Sequence, residues 1–262
     1  MTVTTADPVR IAMWSGPRNI STAMLRSFGN RPDCAVIDEP FYAAYLAETG
    51  LLHPMRYEVL ASQPTDWRRV VRTLLGPVPD GQDIFYQKHM THHMLDSIDH
   101  SWMAQCRNAF LIRSADHVLN SYRARRDTVT LEDIGYRQQA ELFDIECDRL
   151  GTAPPVIDAE DLLANPPGLL KALCRALEIP FRAEMLRWPA GPRPTDGVWA
   201  PAWYGAVEQS TCFAAPAPPS PAPKLEAQLR RIAELAHPFY EHLKRHRLAA
   251  AASDMAPGTV VP

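Results

Sequence analysis

Two stretches of the chain carry the residue types and spacing needed to hold anions. In RIAMWSGPRNISTAMLRSF (10–28) a short apolar run meets a Ser-Gly-Pro-Arg turn, then a Ser-Thr pair, then a helical pattern. A strand–loop–helix of this kind leaves backbone N–H groups without intrahelical partners. Together with the helix dipole they favour a dianionic phosphate or sulfate group. Arg18 can add a bidentate fork, Asn19 and Ile20 fill the turn, and the Ser21 and Thr22 hydroxyls can donate hydrogen bonds. The plainer reading is a capped helix after a tight turn, with Arg18 in solvent. In AFLIRSADHVLNSYRARR (109–126) Arg113 follows a second apolar run, and Ser121 falls in the early turns of the next helix. A fixed guanidinium and a hydroxyl near a helix N-terminus suit a second dianion. A surface arginine and an ordinary helix serine are the alternative.

The first loop is not a triphosphate loop of the Walker type, G-x-x-x-x-G-K-[ST], whose lysine reaches the β- and γ-phosphates. Ile20 precedes Ser21, so both the second glycine and the lysine are missing. A kinase or nucleotide hydrolase would lack its main cation here.

Proton transfer has two candidate sources. VIDEPFY (36–42) sets Asp38 and Glu39 just after an apolar run. Partial burial beside Phe41 and Tyr42 would raise the Glu39 pKa toward the working range of a general base. An acid capping the next helix is the alternative. IFYQKHMTHHM (84–94) offers Lys88 and His89, with His92 and His93 as further proton acceptors. His89, His92, His93 and Asp96 have the spacing of one helical face and so of a metal site. His89, however, is expected at a strand end, off that helix. Hydrogen-bonded structure explains the cluster better, and no metal is expected.

These residues need a scaffold that brings loop ends together. Apolar runs at Ile11–Trp14, Ala35–Ile37, Ile84–Gln87, Ala109–Ile112 and Val156–Ile157 predict short buried strands. Helical patterns separate them: after Ser21, from Trp67 to Leu75 behind a Thr65-Asp66 cap, over Asp116–Arg126 and Leu131–Leu150, and from Pro166. Alternation of strands and helices predicts an α/β fold with a mainly parallel central sheet flanked by helices. Such a sheet places ligands at the carboxyl ends of its strands. Residues 8–213 are expected to form one α/β domain. A Pro/Ala-rich linker (214–223), a helix packed back on the domain (224–248) and a flexible tail (249–262) follow.

Composition sets outer limits. The 262 residues carry a net charge of −3, which gives no support for nucleic-acid or anionic-membrane binding through bulk charge. The five cysteines are widely spaced and form no C-x-x-C pair, which argues against a disulfide framework and for a reducing compartment. No apolar run approaches the ~20 residues that span a bilayer, and MTVTTADPVR lacks the pattern of a secretory signal. The expectation is a cytoplasmic protein without nucleic-acid or membrane partners. The oligomeric state is not legible.

The two anion motifs together resemble those of the PAPS-dependent P-loop sulfotransferases, which use 3′-phosphoadenosine 5′-phosphosulfate (PAPS) as donor and release PAP. Members typically read Lys/Arg-x-Gly-[Ser/Thr]-[Ser/Thr] around the 5′-phosphosulfate, and Arg18-Asn19-Ile20-Ser21-Thr22 fits at four of the five places. Ile20 replaces the glycine, which implies a turn that needs no positive φ there. Their 3′-phosphate segment typically reads Arg-Asn-Pro-x-Asp-x-x-x-Ser-Tyr. Arg113, Asp116, Ser121 and Tyr122 match in order, with Asp116 one place early. VIDAEDLLANPPGLLKALCRALEIPF (156–181) is similar to a structural stretch of the family, which extends the resemblance over residues 10–181.

The resemblance implies a P-loop-type three-layer sandwich and sulfuryl transfer to a hydroxyl or amine of a small-molecule acceptor, with no metal. In several branches a Glu near the place of Glu39 is the base. Cytosolic members instead carry Lys-x-His, with the Lys on the bridging oxygen and the His as base. Here Lys88 and His89 are adjacent, without the spacer. GPRPTDGVWAPAWYG (191–205) occupies the place of a basic loop that closes on the nucleotide, with Arg193 as its cation, although the family's Arg-Lys-Gly is absent. A Trp-rich loop packed on the core is the other reading. Phe41, Tyr42, Tyr45, Trp67, Trp199 and Trp203 are candidate acceptor walls. Two other functions compete: a P-loop kinase or nucleotide hydrolase, and a non-catalytic module that binds PAPS or PAP.

Overall fold

The computed structural model describes residues 7–122, 129–214 and 225–251. Five strands, β1 (Val9–Ser15), β2 (Cys34–Asp38), β3 (Ile84–Met90), β4 (Arg107–Ile112) and β5 (Val156–Asp158), form one sheet in the order β2-β3-β1-β4-β5. Every neighbouring pair is parallel. The chain sets β2 and β3 on one flank of β1 and then β4 and β5 on its other flank. A crevice therefore opens at the carboxyl ends of β1, β3 and β4, the place where such sheets bind ligands.

Alternation along the strands sorts the core into two layers. Ala12, Trp14, Phe85, Phe110, Ile112 and Val156 face one cluster, while Ile11, Met13, Tyr86, Ala109, Leu111 and Ile157 face the other. On the second face lie α1 (Ser21–Gly29), through Met24, Leu25 and Phe28, and the Pro166–Ala176 helix, through Leu169, Leu170 and Leu173. On the first face lie the Trp67–Leu75, Ala115–Tyr122 and Tyr136–Leu150 helices and the C-terminal helix Ala227–Lys244. The result is a three-layer α/β sandwich of P-loop type.

Sequence boundaries shift for local reasons. Asp66 caps the Trp67 helix by accepting from Arg68 N, and Gly76 follows its end. The single helix expected over Leu131–Leu150 is two, Leu131–Ile134 and Tyr136–Leu150, parted by Gly135 at φ 66°. A side chain at Gly135 would also meet the Thr91 hydroxyl at 2.6 Å and His92 N at 2.9 Å. Gly16, in the first loop, is equally tight: a Cβ would lie 2.7 Å from Ile134 O. Close approach thus locks both the loop after β1 and the turn after β3 against the Ile134–Gly135 junction. Most of the expected linker and tail (215–224 and 252–262) lies outside the described residues, as does 123–128.

The C-terminal helix is tied to the sheet by a buried hydrogen bond from Tyr240 OH to Asp158 Oδ2 at 2.6 Å. Burial, then the hydrogen bond with Glu160, raise the Asp158 pKa to about 6. An acid raised on folding makes the folded state the stronger proton binder. Its contribution to stability is therefore lost as pH rises from about 4, the unfolded value, through the folded value. The melting temperature of Asp158→Asn relative to the parent protein is expected to rise between pH 4 and pH 7. A melting difference independent of pH would contradict this.

Candidate active site

The crevice holds a cavity of about 380 Å³. Its lining includes every residue from Pro17 to Ala23, together with Glu39, Lys88, Arg113 and Ser121. Four separate chain segments predicted to do chemistry therefore converge on one space. The sheet produces this convergence, because β1, β2, β3 and β4 all end at this edge.

At one end sits the start of α1. Its first residues have no side-chain cap and no carboxylate in the first turn, so the terminal N–H groups are left for an anion. Arg18 and Ile20 take positive φ values of 57° and 20°. The expectation that Ile20 needs no positive φ is therefore corrected. The turn keeps the backbone that glycine would favour, and it sets a β-branched residue there. Ile20 packs against the second core cluster, which fixes it in that conformation. Asn19, buried, anchors the turn by donating from Nδ2 to Leu111 O at 2.7 Å.

The two predicted anion sites are one network. Arg18 Nε donates to Ser121 Oγ at 2.9 Å, and Arg113 donates from an NH1 nitrogen to Arg18 O at 3.1 Å. Arg113 is also held by Glu160, which accepts from Nε at 3.1 Å. Tyr136 OH donates to Arg113 O at 2.7 Å. Both guanidinium groups are thus aimed before any ligand arrives, which lowers the ordering cost of binding.

Glu39 and Lys88 line the same cavity. Asp38 and Lys88 are register partners on β2 and β3, so their side chains share a face. Lys88 Nζ donates to Asp38 Oδ1 at 2.8 Å, to Glu39 Oε1 at 2.6 Å and to Tyr204 OH at 2.9 Å. Burial alone would lower the Lys88 pKa, but Asp38 and Glu39 outweigh it and hold the ammonium charged, well above the usual range. Burial raises the Glu39 pKa; Lys88 opposes the rise and Asp38 adds to it. Glu39 also has φ 40°, a left-handed conformation at the end of its strand. Such strain collects at functional positions.

His89 does not reach the cavity. β3 continues to Met90 rather than ending at Gln87, so Lys88 and His89 point to opposite faces of the sheet. His89 stacks on Trp14 with ring centroids 4.4 Å apart, and its Nε2 lies 3.2 Å from Gln87 Oε1. Burial lowers its pKa to about 3. The helical quartet that the spacing of His89, His92, His93 and Asp96 would allow is not assembled, and no group of three metal-binding side chains occurs among the described residues. His92 and His93 do line the cavity, from a short turn after β3. Burial first, then neighbouring His92, His53 and Lys88, push His93 well below an ordinary histidine. Its imidazole stays neutral and resists taking a proton, whereas the raised Glu39 carboxyl favours one.

Arg193 also lies outside the lining. Its side chain donates to Pro189 O at 2.8 Å, and its backbone N donates to Asp196 Oδ2 at 2.8 Å. Asp196 is in turn paired with the buried Arg26 of α1, which pins the 191–205 loop to the helix. Trp199 is buried, while Trp203 reaches the cavity. Tyr204, Tyr42, His53, Leu163 and Phe213 complete much of the wall. Of these, sequence reasoning named only Tyr42. Tyr204 lies within the Trp-rich 191–205 stretch, but nothing in its spacing marks it as a lysine partner. Among the described residues no helix is long and apolar enough to cross a membrane.

A family model described as "Sulfotransferase domain" matches residues 9–247. Two curated proteins of Arabidopsis thaliana are similar in sequence. Branched-chain-amino-acid aminotransferase-like protein 1 is 38% identical over 211 residues, which is 80% of this chain and 38% of that protein. Protein 2 of the same name is 36% identical over 206 residues, covering 79% of this chain and 36% of that protein. The chain therefore spans less than two fifths of the length of the curated relatives it matches. Among solved structures, the sulfotransferase domain from the curacin biosynthetic pathway superposes with TM-score 0.53 at 18% identity, over 89% of this chain and 99% of that one. A sulfotransferase from Alicyclobacillus acidocaldarius gives 0.53 at 14%, over 94% and 98%. At these identities the likeness is one of fold.

Proposed function

The chain belongs to the sulfotransferase domain family, and from that membership we propose that it moves a sulfuryl group from PAPS to a hydroxyl or amine of a small-molecule acceptor. One observation carries this reading. A single cavity joins an uncapped helix N-terminus and two pre-aimed arginines to a raised carboxyl beside a charged lysine. The first set suits a nucleotide bisphosphate and the second suits proton removal.

In this reading the α1 amides, Arg18, Ser21 and Thr22 hold the 5′-phosphosulfate, while Arg113 and Ser121 hold the 3′-phosphate. The acceptor oxygen or nitrogen attacks sulfur in line. Its bond to sulfur forms as the bond from sulfur to the 5′-phosphate oxygen breaks, and the electron pair leaves with that oxygen. The acceptor's proton goes to the Glu39 carboxylate. Positioning and charge stabilisation supply most of the rate, as in phosphoryl transfer. Lys88 is the cation assigned to the departing oxygen. Tyr42, His53, Trp203 and Tyr204 wall the acceptor end.

The aminotransferase-like name of the two relatives does not transfer to this site. An imine-forming lysine must lose its proton, and Lys88 is held charged by two carboxylates. The test is release of PAP from PAPS across a panel of alcohols and amines. Transfer to at least one acceptor without added metal is expected. Turnover that needs ATP and Mg²⁺ would replace the proposal with a kinase. PAP binding without transfer to any acceptor would leave a binding module.

A further inference from the structure

An ammonium has three protons to donate, and those of Lys88 are all taken, by Asp38 Oδ1, Glu39 Oε1 and Tyr204 OH. Lys88 therefore has none left for a donor molecule. Two of its acceptors are locked. Asp38 is 4% exposed, and its Oδ2 accepts from Tyr204 OH at 2.6 Å and from Gly197 N at 3.3 Å. Tyr204, also 4% exposed, accepts from Trp199 Nε1 at 3.1 Å as well. Glu39 differs. Its side chain keeps 12% exposure, it lines the cavity, and its backbone sits at φ 40°.

We propose that Tyr204 and Asp38 are positioning residues that fix two protons of Lys88, so that the third passes from Glu39 to the departing 5′ oxygen when the donor binds. The inference rests on the donor reading above. No covalent bond changes in the exchange, and Lys88 keeps its charge. Glu39 loses its cation only when the donor is seated. The base is thus restrained in the empty site and released in the loaded one. Lys88, Asp38 and Tyr204 act on the Glu39 charge, and Arg18, Arg113, His53, His92 and His93 are further charged or titratable groups of the same lining.

Two measurements test this. The first is a structure of the unaltered protein with PAP, whose 5′-phosphate carries the departing oxygen. The Lys88–Glu39 contact should open beyond hydrogen-bond range while those to Asp38 and Tyr204 remain. PAP bound with all three contacts intact would overturn the exchange and leave the donor reading standing. Failure of PAP to bind would remove both. The second is Tyr204→Phe, which frees a Lys88 proton, so Glu39 need not be released. A kcat roughly tenfold lower or worse is expected, with PAP affinity within about twofold and the acid limb of the kcat–pH profile moved to lower pH. A variant that only melts earlier, with that limb in place, would reduce Tyr204 to packing.

Discussion

Glu39→Gln is expected to lower kcat by about 10²- to 10⁴-fold, the usual worth of a general base, with PAP affinity not reduced. Glutamine preserves the shape and still offers Lys88 an acceptor, so what is lost is proton uptake. The pH profile gives the same test a sign. The base must be deprotonated, so kcat falls as pH drops through its pKa. Burial places that pKa above the ordinary carboxylate value, and the fall should come nearer neutrality than an exposed Glu would give. The limb should vanish in Glu39→Gln. If instead His93→Ala abolishes transfer and Glu39→Gln leaves it intact, the base is the histidine, despite the burial that opposes its protonation.

Arg113→Ala is expected to weaken PAP binding by about 10- to 150-fold, the equivalent of ~1.5–3 kcal/mol for hydrogen bonds to a charged group. The loss should be selective. Arg113 is assigned to the 3′-phosphate, so 5′-AMP, which lacks that group, should bind the variant nearly as well as the parent. The ratio of PAP to AMP affinity should therefore collapse. Arg113 also supports the Arg18 carbonyl, where the backbone sits at φ 57°. If that support were its whole contribution, PAP and AMP would weaken together, and the assignment to the 3′-phosphate would fail.

Much of this site could be read from the chain because its parts follow short local rules. Arg18 to Thr22 and Arg113 to Ser121 each lie at the junction of an apolar run and a helical pattern. A parallel sheet brings such junctions to one edge. The five strands were legible for the same reason, with β3 cut short. Lys88 and His89 make the Lys88–Met90 extension look like a loop, yet all three residues are buried in the sheet. That missing length misplaced His89, because one more residue along a strand reverses the face. Arg193 lies outside the lining for a different reason. Its loop was located, but the Asp196–Arg26 pair that commits the loop to α1 spans the chain from one motif to another and leaves no local trace. Tyr204 was missed for the same reason: its lysine is 116 positions away. Isoleucine at position 20 predicts a relaxed turn. The fold imposes the positive φ regardless, through packing that no single-residue preference reveals.

The donor assignment is tested most directly by thermal shift of the unaltered protein with PAP, 5′-AMP and ATP–Mg²⁺ at equal concentration. A ligand that binds only the folded state stabilises it by mass action, by about 2.7 kcal/mol at 100 times its Kd, or a few degrees in a domain of this size. PAP is expected to give the largest rise, 5′-AMP a smaller one and ATP–Mg²⁺ little. A larger rise with ATP–Mg²⁺ than with PAP would contradict the two-phosphate clamp of Arg18 and Arg113, and with it the sulfuryl-transfer reading.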